Sequence, residues 1–209
     1  AAGFIGTNLT LALMKNPANH ITITDTDTSY FTNETIIAAN NVSCLALHTQ
    51  THNFENILEN IDLVFHLVST TNPSSSNNDI EAELNENITF STRLLEASVK
   101  HHVSKIIFIS SGGTVYGNVA CPITENAAYG IQKLTIEKIC HLYHCMHGID
   151  YSILRLANPY GPYQRPNGKL GALTTFTYKA LHQETLHVYG DGSVVRDYIY
   201  IDDAIDAML

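Results

Sequence analysis

Tyr129 and Lys133 stand four residues apart in the run YGIQK. That spacing sets both side chains on one face of a helix. A free phenol titrates near ~10 and is a poor base at neutral pH. A Lys ammonium and a second positive charge close by both favour the phenolate and lower that value. Such a pair can take a proton from an alcohol while a hydride leaves the same carbon. A surface Tyr and a surface Lys reach the same spacing by chance, so the pair gains weight only from its surroundings.

Four other segments could share that chemistry. The run Ser110-Ser111-Gly112-Gly113-Thr114-Val115-Tyr116-Gly117 follows the apolar stretch KIIFIS. In an open parallel sheet, ligands sit just past the carboxyl ends of strands, where the hydroxyls of Ser111 and Thr114 could meet a sugar hydroxyl. The opening AAGFIG places Gly3 and Gly6 at the spacing of the last two glycines of Gly-x-x-Gly-x-x-Gly. That turn lets backbone approach a pyrophosphate at a helix N-terminus. Asp25 follows about 20 residues on, where an acid can bind adenosine ribose hydroxyls, which favours NAD over NADP. In RLANPYGP, Asn158 could offer an amide to a ligand. In VRDYIYIDD, Arg196 could fork onto a diphosphate or pair with a neighbouring carboxylate.

The elements that must carry these residues alternate strand, helix, strand, helix, the signature of a parallel α/β sheet. A helix runs from Gly3–Gly6 to about Lys15, and His20–Thr24 is a strand ending at Asp25. Leu45–Leu47 reads as a short strand, Phe54–Asn60 as a short helix, and Asp62–Val68 as a buried strand. A polar loop, Ser69–Asp79, leads into a long helix over Ile80–His102. Lys105–Ser110 and Asp150–Leu156 are strands that flank a helix over Tyr129–His147. Leu186–Tyr189 and Val194–Ile199 could pair as a hairpin across Asp191-Gly192, and Asp202 opens a final helix.

Bulk properties narrow the class. The chain has 209 residues, enough for one large domain or one domain and part of a second. A net charge of −9 argues against nucleic acid or an anionic membrane as main partner. No apolar run reaches the length of a membrane span, and no signal peptide is expected from Ala1–Gly6. Cys44, Cys121, Cys140 and Cys145 show no disulfide framework, so reduced thiols in a cytoplasmic protein are expected. Cys140, His141, His144, Cys145 and His147 share one helix, which can present only two or three of them on one face, so no metal site is expected.

Taken in order, AAGFIG, FHLV with the Asn87 helix, SSGGTVYG, YGIQK, RLANPYGP and VRDYIYIDD resemble the NAD-dependent epimerase/dehydratase branch of the extended short-chain dehydrogenases. Within it the chain looks most like the sugar-nucleotide 4-epimerases of the UDP-glucose/galactose kind. The resemblance implies a Rossmann-type doubly wound parallel sheet that binds NAD over residues 1–160. Part of a smaller C-terminal substrate region, for a UDP-sugar, follows over 161–209. It implies that Gly3, Phe4, Ile5 and Gly6 lie at the NAD pyrophosphate and Asp25 at its ribose, with Val68, Ser69 and Pro159 lining the cofactor. Tyr129 would be the base, and Lys133 would bind the nicotinamide ribose and tune Tyr129. Asn158 and Arg196 would contact the substrate diphosphate, and Asn87 would support the cofactor loop. A homodimer, packed through the two long helices, is implied as well.

The chain departs from that pattern in three places. Gly112 stands where the epimerases carry a catalytic Ser or Thr, so Ser111 or Thr114 must supply the hydroxyl, with Thr114 preferred. No acid appears around His48–Thr51 to contact the adenine. The stretch between Glu125 and Ala128 reads as if a loop were missing, and the absent first strand suggests parts of a longer protein. The expected reaction is epimerisation by transient oxidation at sugar carbon four. A 4,6-dehydratase of this branch carries Asp-Glu where Gly113 and Thr114 stand, and a decarboxylase usually carries Glu at the second of these positions, which disfavours both. The other alternative, a catalytically silent NAD-binding protein, has only Gly112 in its favour.

Overall fold

The computed structural model describes residues 1–48, 54–70, 79–116, 128–166, 171–188 and 190–209, apart from the side chains at 82 and 83. Among the described residues its strands form three parallel sheets. β1 (Ile21–Asp25) pairs with β2 (Val42–Ala46). β3 (Leu63–His66), β4 (Lys105–Ser111) and β5 (Asp150–Leu156) lie side by side in that order. β6 (Asn158–Tyr160) pairs with β7 (Tyr198–Tyr200). The helices are α1 (Phe4–Leu13), α2 (Glu34–Ile37), α3 (Ile80–Lys100), α4 (Gly112–Val115), α5 (Ala128–His147), α6 (Ala172–Leu181) and α7 (Ile201–Asp206).

β4 explains the layering. A strand sends alternate side chains to opposite faces, and a strand covered on both faces reads as an unbroken apolar run. Ile106 and Phe108 enter one core with Phe90, Leu94 and Leu95 of α3 and Ile136 and Cys140 of α5. Ile107 and Ile109 enter a second core with Leu9 of α1 and Ile201, Ala204 and Ile205 of α7. Helices therefore cover both faces of a parallel sheet, the doubly wound arrangement expected of a Rossmann-like fold. Phe108 is fully buried, and burying such a side chain stabilises by about 1.5–3 kcal/mol.

Several expected elements differ. Phe54–Asn60 forms turns instead of a helix. Ile57 and Leu58 both donate to the Phe54 carbonyl at 3.0 Å, and the turn drops Phe54 and Leu58 into the first core. The Leu45–Leu47 strand is real but starts earlier, at Val42. Among the described residues the hairpin expected across Asp191-Gly192 does not form. Asp191 Oδ1 instead closes a local turn, accepting from Ser193 N at 3.0 Å and Ser193 Oγ at 2.6 Å. Leu186, Val188, Val194 and Val195 stay exposed, so no buried face fixes a strand register there. Tyr189 lies outside the described residues, and so does the stretch expected to lack a loop. The final helix starts one residue before Asp202, with Asp202 and Asp203 in its first turn, where their charge complements the helix dipole.

Candidate active site

β4 ends at Ser110 and Ser111 and runs directly into α4. Ser111 has extended backbone, and its Oγ accepts from Thr114 N at 3.3 Å as the helix cap. Gly112 lies against β5. A Cβ there would stand 3.2 Å from the carbonyl oxygens of both Arg155 and Leu156. The position that departs from the epimerase pattern is thus one where a side chain would crowd neighbouring backbone. Thr114 Oγ1 is buried and, among the described residues, has no hydrogen-bond partner. An unsatisfied buried hydroxyl costs about 1–3 kcal/mol, so this group is suited to meet a ligand atom.

α5 presents Tyr129, Lys133 and Glu137 at successive four-residue steps along one face. Lys133 is 5% exposed, and its Nζ donates to the Ile109 carbonyl at 2.9 Å. The ammonium lies 4.8 Å from the Phe108 ring centroid and 5.6 Å from that of Tyr129. Burial pushes Lys133 down to about 8. The expected pair is therefore assembled, with Lys133 tied to the end of β4 and Tyr129 half-buried beside it.

Glu137, Arg155 and Ser110 were not among the expected site residues. Glu137 is 5% exposed. It accepts from Ser110 Oγ at 2.6 Å, from Arg155 Nε at 2.9 Å and from Arg155 Nη2 at 2.5 Å. Burial pushes its carboxyl up, but the bonds from Arg155 and then Ser110 outweigh it and hold the group below the usual range. Arg155 Nη1 also donates to the Tyr116 hydroxyl at 2.7 Å. The signal was present in the sequence: Glu137 continues the four-residue spacing of Tyr129 and Lys133.

The loop after β3 is held from α3. Asn87 Oδ1 accepts from Thr70 N at 3.0 Å, and Asn87 Nδ2 donates to Thr70 Oγ1 at 2.8 Å, next to Val68 and Ser69. Ser91 gives its proton to the Asn87 carbonyl at 2.7 Å, so the 2.7 Å contact with His66 Nε2 must be a donation from the ring. Burial, and then the charge of Lys133, push His66 down to about 3 and keep it neutral.

The glycine turn is built as expected. Gly3 caps α1 with no side-chain bond, and a Cβ on Gly6 would lie 2.2 Å from the Ala1 carbonyl oxygen. Gly3 has open space around it. Phe4 and Ile5 face the second core. Asp25, at the end of β1, accepts from Ala2 N and from Thr26 N, both at 2.9 Å, and so stands at this turn. Asn158 and Pro159 begin β6. Asn158 Nδ2 donates to the Asp197 carbonyl at 2.9 Å, and Arg196 Nη1 donates to the Val195 carbonyl at 2.8 Å. Both residues are exposed.

On the far part of α5, Cys140 is buried and its thiol is pushed up to about 12, first by burial and then by Glu137. His141 contacts the Tyr151 hydroxyl at 3.0 Å and Cys145 at 3.6 Å, while His144 bonds the Ile149 carbonyl at 3.0 Å. These side chains fasten α5 to the start of β5. Among the described residues no helix is long and apolar enough to cross a membrane.

A family model described as the NAD dependent epimerase/dehydratase family matches residues 1–209. The chain belongs to this family. An uncharacterized UDP-glucose epimerase of Bacillus subtilis is 32% identical over 98% of the chain and 68% of its own length. A putative UDP-glucose 4-epimerase of Methanocaldococcus jannaschii is 33% identical over 72% of the chain and 52% of its own length. The chain thus spans 52% and 68% of the length of these relatives. Among solved structures, the UDP-glucuronic acid 4-epimerase of Bacillus cereus, in complex with UDP-glucuronic acid and NAD, superposes with a TM-score of 0.89 at 30% identity. That match covers 100% of this chain and 69% of the other. The UDP-glucose 4-epimerase of Thermotoga maritima, with UDP-glucose, gives 0.85 at 31% identity, over 99% and 69% of the two chains. The NAD dependence that names this epimerase/dehydratase family fits the residues present. The N-terminus of α1 has no side-chain cap and Gly6 lies too close to the Ala1 backbone for a side chain, so backbone N–H groups there are open to an anion such as a pyrophosphate.

Proposed function

We propose that this chain is the cofactor-bearing part of a UDP-sugar 4-epimerase. The observation that carries the reading is the pairing of Tyr129 with a buried Lys133 on α5, which packs against α4, where Thr114 carries a hydroxyl with no partner among the described residues. Gly3, Phe4, Ile5 and Gly6 would receive the NAD pyrophosphate, Asp25 the adenosine ribose, and Val68, Ser69 and Pro159 the rest of the cofactor. A carboxylate at position 25 repels a ribose phosphate, which favours NAD over NADP. When bound, the cofactor supplies a reversible hydride acceptor.

Tyr129 takes the proton of the carbon-four hydroxyl and returns it when the sugar is reduced again. The Lys133 ammonium favours the phenolate and holds the nicotinamide ribose. Thr114 donates to the same substrate oxygen as Tyr129. Ser111 Oγ is held in place as the acceptor that caps α4, whereas Thr114 Oγ1 is buried with no partner among the described residues, which favours Thr114 as the donor. Glycine at 112 leaves that role to Thr114, and a side chain at 112 would be crowded by the Arg155 and Leu156 carbonyls. No carboxylate stands at Gly113 or Thr114 to eliminate water, which supports epimerisation over dehydration.

Residues 1–160 form the cofactor part and 161–209 contribute to the substrate side, with α7 returning to pack beside α1. Asn158 and Arg196 would hold the diphosphate of the substrate. Exposed Leu142 and Met146 on α5 support a homodimer through α3 and α5. The free thiols of Cys44, Cys140 and Cys145 support a cytoplasmic enzyme.

The test is an NMR assay of the full-length protein with NAD and UDP-glucose, UDP-galactose, UDP-glucuronic acid and the N-acetyl forms. The expected result is the carbon-four epimer of at least one donor, with Tyr129→Phe inactive but folded. A 4-keto-6-deoxy product would overturn the reading in favour of a dehydratase.

A further inference from the structure

We infer that Arg155 is a positioning residue that fixes α4, and with it Thr114, to the helix face bearing Tyr129 and Lys133, using the buried carboxylate of Glu137 as its anchor. The inference rests on the epimerase reading for its catalytic consequence, but the clamp itself stands on geometry. Glu137 follows Lys133 by one helical step and is satisfied by Ser110 at the end of β4 and by two bonds from Arg155 on β5. The two bonds from Arg155 form a fork. A forked guanidinium has a fixed plane, so its remaining nitrogen has one direction available. That nitrogen, Nη1, meets the Tyr116 hydroxyl at 2.7 Å, with the guanidinium carbon 4.9 Å from the Tyr116 ring centroid.

Tyr116 is the C-cap of α4 and lies two residues past Thr114. α4 has four residues, and its closing bond, Tyr116 N to the Gly112 carbonyl, is 3.4 Å long. A helix that short does not hold itself. Its first end is set by the Ser111 cap and by the packing of Gly112 on β5. Its second end is set by Arg155. Tyr116 is 39% exposed, and both its hydroxyl and its ring meet Arg155. Thr114 lies between the two anchors. The base on α5 and the hydroxyl on α4 are thereby referred to one carboxylate, which keeps their separation constant while substrate exchanges.

Tyr116→Phe tests this in the full-length protein, because it removes the hydroxyl and leaves the Glu137–Arg155 pair intact. Two readouts are taken. Amide hydrogen exchange over residues 112–116 should accelerate at least tenfold, with α5 unchanged. In an epimerase assay kcat should fall about tenfold, the loss of one bond to a charged group, with NAD affinity unchanged. That fall should vanish when Tyr116→Phe is made in a Thr114→Val background, since Tyr116 acts only through Thr114. Arg155→Lys, which keeps the charge but cannot fork, should reproduce the exchange result. Unchanged exchange in Tyr116→Phe would overturn the clamp. Additive kcat effects with Thr114→Val would overturn its catalytic role. If the wild-type protein epimerises no donor, faster exchange still supports the clamp and the epimerase reading alone fails.

Discussion

The end of β4 and the β6–β7 ladder hold their polar residues in opposite ways. At β4, Lys133, Glu137 and Ser110 are buried and each is bonded to a neighbouring element. At β6–β7, Asn158 and Arg196 are exposed, and their side chains bond to the Asp197 and Val195 carbonyls. The first region is preorganised: its geometry exists before any ligand arrives. The second offers groups to solvent that a ligand must order. This contrast fits a division in which the proton and cofactor chemistry is built into the sheet, while the substrate diphosphate is gathered by a more open surface.

The largest effect should come from the preorganised region. Tyr129→Phe should lower kcat by about 10³-fold, within the span of a lost general base, with NAD binding retained in a fluorescence titration. Equal loss of NAD binding would place Tyr129 in the cofactor cradle instead. Gly6→Ala, which drives a methyl against the Ala1 carbonyl, should abolish NAD binding.

Next come the two hydroxyls on α4. Thr114→Val should lower kcat about 10²-fold, as loss of one preorganised donor does. Ser111→Ala should cost about 1 kcal/mol of stability as a lost cap, with a smaller effect on kcat. Steady-state kinetics and denaturant melts of both variants would reveal a reversal of these roles.

A subtler sign of preorganisation is the burial of Lys133, held near about 8 against an ordinary 10.5. Below about 8 the side chain is protonated folded and unfolded, and its burial opposes folding in full. Between about 8 and 10.5 the unfolded chain binds more protons, so stability of the apoprotein should rise with pH across that window. The contribution is on the order of 3 kcal/mol. Lys133→Met should flatten that rise in urea melts taken from pH 7.5 to 10.5. An unchanged slope would mean that the rise belongs to other groups.

The smallest effects should lie at the open surface. Arg196→Ala should raise KM for the nucleotide sugar about tenfold and leave kcat within about twofold, because it removes binding shared by ground and transition states. A fall in kcat instead would erase the contrast between the two regions.

Much of this was legible in the sequence because its signals are local. The KIIFIS run required a strand covered on both faces, and the four-residue step from Tyr129 to Lys133 survived folding intact. The β5 strand was readable to its bounds. The failures share a cause. The turn at Phe54 and Leu58 depends on a core supplied by distant helices, and β7 found its partner in β6 rather than in the segment just before it. Arg155 and Glu137 are 18 residues apart in sequence, and their pairing depends on β5 lying beside β4. The status of Gly112 likewise needed the Arg155 and Leu156 carbonyls in place.

The most direct test follows a deuterium label. A UDP-sugar deuterated at carbon four is incubated with the full-length protein and NAD, and the product is read by NMR. Deprotonation by Tyr129 with transient oxidation by bound NAD predicts the carbon-four epimer with deuterium retained at that carbon, and product formation by Tyr129→Phe slowed about 10³-fold. Deuterium lost to solvent or moved to another carbon would contradict the account.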